Sequence, residues 1–133
     1  MGRRYIMIKV TIYDLLSANP VLHTLRGKSM VGPGAFAVAR LIREVHKELE
    51  TYDQSRMEII EQYAEKEENG QMKVVEGNAQ IKPDKLEECK LKIHECANQE
   101  VELNVSPLIP EWFNEINLTA DEAMVLEPLM NLN

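Results

Sequence analysis

The chain has 133 residues, 44% of them apolar and 28% charged, which suits one packed domain and excludes bulk disorder. No apolar run approaches the roughly 20 residues that span a bilayer, and the opening MGRRYIMIKV is too short and too polar for a signal peptide. The net charge of −7 hides a split: up to residue 47 there are eight bases and two acids, a surplus of +6, while the remainder carries seven bases and 20 acids.

Such asymmetry has two readings. The poles face each other inside one fold, or they serve a partner or self-association. Cys89 and Cys96 sit seven residues apart on one expected helix. Two helical turns hold their α-carbons about 10 Å apart, beyond disulfide reach. A reduced, cytoplasmic chain is expected.

In chain order, Tyr5 to Thr11 alternates like a short strand, with Ile6, Ile8 and Val10 on one side. Residues 1–6 read as an N-terminal extension. Thr11 is placed to cap a helix whose first turn holds Asp14. Leu15, Leu16, Val21, Leu22 and Leu25 continue helically, and Asn19-Pro20 predicts a break into two pieces. Gly27 to Gly34 (GKSMVGPG) reads as a loop.

A long helix is expected from about Ala35 to Lys66. Its seam, Ile42, Val45, Leu49, Tyr52, Arg56, Ile59 and Tyr63, steps by three and four. It ends near Asn69-Gly70. Two short runs around Gly77-Asn78 predict a β-hairpin within residues 70–83. Asp84 and Glu87 are spaced as a capping box for a second helix, from about Lys85 to Asn98, with seam Leu86, Cys89, Ile93 and Cys96.

Matching seams joined by a short connection predict an antiparallel hairpin over residues 35–99. Pairing from the tip sets Leu86 near Tyr63, Cys89 near Ile59, Ile93 near Arg56 and Cys96 near Tyr52. Val38 through Leu49 then needs other cover: the N-terminal helical pieces, the C-terminal segment, or a second copy. Val101 to Val105 alternates and suits pairing with Tyr5 to Thr11. Trp112, Phe113 and Ile116 follow in a short turn. Thr119 and Glu122 form a capping box for a last helix carrying Met124, Val125, Leu126, Leu129 and Met130. The sparse aromatics, Tyr13, Phe36, Tyr52, Tyr63, Trp112 and Phe113, are expected to anchor packing. The fold class expected is α+β, mainly α, as one domain over 1–133: an antiparallel long-helix hairpin with a β-hairpin at its tip and a small base of short strands and helices.

Chemistry-bearing patterns are few. Gly27-Lys28-Ser29 matches only the tail of a phosphate-binding loop, with Leu22 where its first glycine belongs. Cys89 and Cys96 share a helix face, but His94 points about 140° away from Cys89 and no fourth ligand is spaced for zinc. His23, His46 and His94 have no nucleophile at triad-like spacing. No catalytic group, cofactor or metal site is expected, and the chain is read as a non-enzyme. Arg56 on the seam either pairs with Glu95, snorkels to water, or sets register with a partner. Arg3, Arg4, Arg26, Lys28, Arg40, Arg43 and Lys47 lack aromatic interleaving, and the acidic bulk argues against nucleic acid.

Three stretches carry a resemblance: LLSANPVLHTL (15–25), YAEKEENGQMKV (63–74) and INLTADEAMVLEPLM (116–130). In this order they resemble a family of small bacteriophage and prophage proteins of Gram-positive bacteria, a domain of unknown function. Gly27 to Gly34 departs from that pattern. The resemblance implies a phage setting, in the infected cell or with the virion, and no activity or cofactor. The expected role is a protein-interaction module, an accessory or chaperone-like factor in particle assembly, binding a phage or host protein or its own copy. The alternative is a counter-defence protein that binds a host immune protein or sequesters its signalling nucleotide. The expected interaction residues are Val38, Ile42, Val45 and Leu49 on the uncovered seam, with Arg40, Arg43, Lys47 and Arg56.

Overall fold

Alternating burial sets the first element. In the computed structural model, which describes residues 8–30 and 32–130, β1 (Ile8–Thr11) buries Ile8 and Val10 and exposes Lys9. The expected extension and Tyr5 to Met7 lie outside the described residues. β1 pairs antiparallel with β4 (Glu100–Leu103), Ile8 opposite Leu103 and Val10 opposite Val101. On the outer face Lys9 reaches Glu102 at 3.8 Å. The fold is α+β and mainly helical, with an antiparallel helical hairpin, a small β-hairpin and the β1–β4 pair. Contacts divide the chain into two compact units: one holds the described residues up to Leu49 and those from Glu100 onward, the other Glu50–Gln99.

In the first unit, Thr11 caps α1 (Ile12–Leu25) reciprocally. Its hydroxyl accepts from the Asp14 amide at 3.1 Å, and the Asp14 carboxylate accepts from the Thr11 amide at 3.0 Å. Ile12, Leu15, Ala18, Leu22 and Leu25 form its buried face. The expected break at Asn19-Pro20 does not occur, since Pro20 lies inside the helix. Its ring sits on the exposed side, where the carbonyl it leaves unpaired can meet water. Burial of the leucines on either side outweighs one lost backbone bond.

α2 (Gly32–Tyr63) starts earlier than expected and takes Gly32-Pro33-Gly34 into its first turn, where proline is tolerated. Gly34 is buried against the C-terminal segment. A β-carbon there would stand 3.0 Å from Trp112 Cβ and 3.2 Å from Trp112 Cγ. Val38, Leu41 and Val45 are buried on the same helix. They join a core of leucines at 15, 22, 25, 103, 108, 126 and 129. At about 25 cal/mol per Å2, each such side chain contributes roughly 2 kcal/mol.

The last helix, α4 (Ala120–Leu126), is capped by Thr119 and Glu122 as expected. It stops sooner than expected because Pro128 tightens residues 127–129 into a 3-10 turn. That turn delivers Leu129 to the core, its carbonyl accepting from the Leu108 amide at 2.9 Å. Trp112 and Phe113 lie in a 3-10 turn, Pro110–Phe113. Phe113 and half-buried Trp112 pack as expected, whereas Phe36 and Tyr13 are 74% and 58% exposed and anchor nothing in this chain.

In the second unit α2 ends at Tyr63, a few residues short of Lys66. Residues 64–66 are instead extended and paired: Ala64 bridges Ile81, and Lys66 bridges Met72. The hairpin β2 (Val74–Val75) and β3 (Asn78–Ala79) turns on Glu76-Gly77, one residue earlier than Gly77-Asn78. Both turn residues have positive φ, 54° and 81°, as a type I′ turn requires. The returning chain enters α3 (Leu86–Ala97) without the expected Asp84–Glu87 box. Pro83–Lys85 is a 3-10 turn that draws Asp84 into helical backbone, so no side chain caps the helix. The shielded positions of α3 are Cys89, Ile93, Cys96 and Ala97, and those of the facing stretch of α2 include Tyr52, Ile59 and Tyr63. Leu86 is more exposed than its seam position predicts. Both cysteines are free, with Cys89 buried.

The two glycines at the head of α2 differ in their surroundings. Gly32→Ala meets nothing beyond its chain neighbours but stands at the first helical position before Pro33, which crowds a preceding β-carbon, so it should change the melting temperature less than Gly34→Ala. Gly34→Ala should lower it by thermal denaturation, because Trp112 must move. Stabilisation by both would contradict the contact.

Candidate functional site

The described surface around the end of α1 and the start of α2 gathers most of the residues singled out in the sequence. Helical spacing decides what each can do. Val38 and Val45 point into the core, at 3% and 0% exposure, together with Leu41. The seam from Val38 to Leu49 is therefore largely covered by this chain's own residues. Ile42 and Leu49 stay half-buried.

On the opposite side Phe36, Arg40, Arg43 and Lys47 recur at steps of four, three and four, which is one stripe along the helix. All four are exposed. Lys47 holds Glu44 at 3.1 Å. Arg40 and Arg43 make no ion pair among the described residues. Arg56 lies in the other unit. Its guanidinium pairs with Asp53 at 3.2 Å on its own helix and not with Glu95. It is thus a local surface pair, of a kind contributing a few tenths of a kcal/mol.

Beside the stripe is a cleft of about 190 Å3, with Leu25, Met30, Val38 and Ile42 in its lining and Arg26 and Lys28 at its polar edge. Ligand sites for metabolites run to about 300–1,000 Å3, so this space suits one inserted side chain better. A wider, open depression lies across Met30, lined by Ser29, Glu111, Trp112, Glu115 and Ile116. The charge of Lys28 in the GKS triplet is felt at Glu122. The Glu122 carboxyl is held below the usual carboxylate range, first by the Thr119 backbone N–H, then by the Thr119 side chain and the Lys28 charge.

The structure also joins two histidines that are far apart in sequence. His23 near the end of α1 and His46 on α2 approach Nε2 to Nε2 at 3.2 Å, with ring centroids 5.2 Å apart and planes tilted by 32°. Arg26 Nη1 lies 3.3 Å from His23 Nδ1. Arginine only donates, so His23 Nδ1 accepts and its proton sits on Nε2, which donates to His46 Nε2. Nothing local announced this pair; only knowing that α1 and α2 lie side by side would have found it. His94 lies in the other unit. No helix among the described residues is long and apolar enough to cross a membrane.

Compared with known proteins, the chain matches no family model, no curated protein and no solved structure.

Glu122 gives a pH signature. A carboxyl whose folded value is lowered adds stability that is present above the ordinary glutamate range and lost as pH falls through the lowered value. Glu122→Gln should therefore melt below the wild type near pH 7, with the gap narrowing as the pH falls below the ordinary glutamate range. A gap that does not change with pH would contradict a lowered Glu122 carboxyl.

Proposed function

We propose that this chain is a non-enzymatic protein-interaction module that docks an acidic partner on the Phe36–Arg40–Arg43–Lys47 stripe. The observation that carries the reading is Phe36, 74% exposed at the head of a row of three cations on a face the core does not use. Phenylalanine and arginine are both enriched at protein interfaces relative to the rest of the surface. The neighbouring cleft can take one apolar side chain from the partner. Arg40 and Arg43 supply steering and register toward a surface of opposite charge.

The partner's chemistry follows: a protein with an acidic face and an apolar socket for Phe36. A second copy of this chain fits the charge requirement, since residues 100–133 carry seven acids and no bases. In the phage setting that the family resemblance implies, the module acts as an accessory factor during particle assembly.

Charge reversal tests the stripe. Arg40→Glu/Arg43→Glu should cut partner retention by tenfold or more in affinity capture from phage-infected cells, and Phe36→Ala should do likewise. Lys90→Glu on α3 should leave retention unchanged. Light scattering after size exclusion identifies a self-partner, as a dimer that the same reversal dissolves. Retention that survives both the reversal and Phe36→Ala would overturn the assignment, as would nucleic acid as the retained species.

A further inference from the structure

We propose that His23 and His46 form a two-histidine site for a divalent transition-metal ion, clasping α1 to α2. The carrying observation is the convergence of two ring nitrogens. His23 Nε2 and His46 Nε2 lie 3.2 Å apart, and the ring centroids are farther apart than that, at 5.2 Å, so both rings aim at the gap between them. Two imidazoles bound at about 2.0–2.1 Å hold their nitrogens about 3.3 Å apart at a tetrahedral angle. At an octahedral right angle the separation is about 2.9 Å. The observed spacing falls between these, so an ion needs only small side-chain rotations to seat.

The donor set selects the ion. Two imidazoles with no carboxylate or thiolate beside them suit Ni2+, Cu2+ or Zn2+ and are poor ligands for Mg2+ and Ca2+. Among the described residues no group of three or more His, Cys, Asp and Glu is placed to hold a metal. Water therefore completes the coordination, and the site is an open clamp. Both histidines are exposed, so the ion arrives directly from solvent.

Arg26 works against the ion. Its donation to His23 Nδ1 keeps the His23 proton on Nε2, the atom that must become a ligand. Coordination through Nε2 moves that proton to Nδ1, facing the guanidinium N–H groups, so Arg26 must swing away. Metal and Arg26 are competing occupants of one imidazole.

The test is calorimetric titration of the untagged full chain with Ni2+, paired with thermal melting. One ion per chain should bind, and the melting temperature should rise because the ion ties two helices of the folded state. His23→Ala and His46→Ala should each weaken binding by about tenfold or more. His94→Ala and Cys96→Ser should leave it unchanged. Arg26→Ala should tighten it, a gain that misfolding cannot mimic. Absence of binding at millimolar Ni2+, binding that persists in both histidine variants, or weaker binding in Arg26→Ala would overturn the site.

Discussion

One helix face underlies the first unit: Val38, Leu41 and Val45 of α2 pressed into the leucine core. Helical spacing leaves no freedom after that. If those three point inward, Phe36, Arg40, Arg43 and Lys47 must point to water. The same constraint sets α2 beside α1, which is what lets His46 meet His23. The proposed docking stripe and the proposed histidine clamp thus both follow from one packing arrangement.

The second unit is held differently. Its buried apolar residues among those described are Ala64, Cys89 and Ala97, all small. A core that thin supplies little transfer energy, so backbone pairing carries more of the burden. Residues 63–67 exchange hydrogen bonds with both 71–73 and 80–82, between 2.7 and 3.1 Å, and the Gln80 amide ties those two segments together at 2.8 Å. Regions with few buried contacts open at low free energy. Stability should therefore be concentrated in the first unit, where the large leucines are.

Much of the fold was legible because it is local. The Thr11–Asp14 and Thr119–Glu122 boxes are three-residue patterns, and both form. The seam spacing of the two long helices and the alternation of β1 and β4 are equally local. What the sequence could not show depends on tertiary context. Pro20 predicts a break, yet flanking leucines hold the helix through it. Gly32-Pro33-Gly34 reads as loop until Trp112 packs on Gly34. The Asp84–Glu87 spacing looks like a cap, but Pro83 puts the turn one step too early. For the candidate site, the basic residues were readable and their arrangement was not. Phe36 seemed core by type, and only the burial of Val38 on the opposite side turns it outward.

Charge tells a similar story. The basic N-terminal segment folds together with an acidic C-terminal one, through Lys9 with Glu102 and Lys28 near Glu122. Part of the charge asymmetry is therefore answered within the first unit, whereas Arg40 and Arg43 make no ion pair among the described residues. The orientation of α2 sets all of these placements, and cysteine accessibility reads that orientation directly. In a Cys89→Ala/Cys96→Ser background, which removes both native thiols, a thiol introduced by Arg43→Cys should react with a maleimide at the rate of a free peptide. One introduced by Val45→Cys should react about a hundredfold slower, only as the unit opens. Equal rates at the two positions would contradict the account.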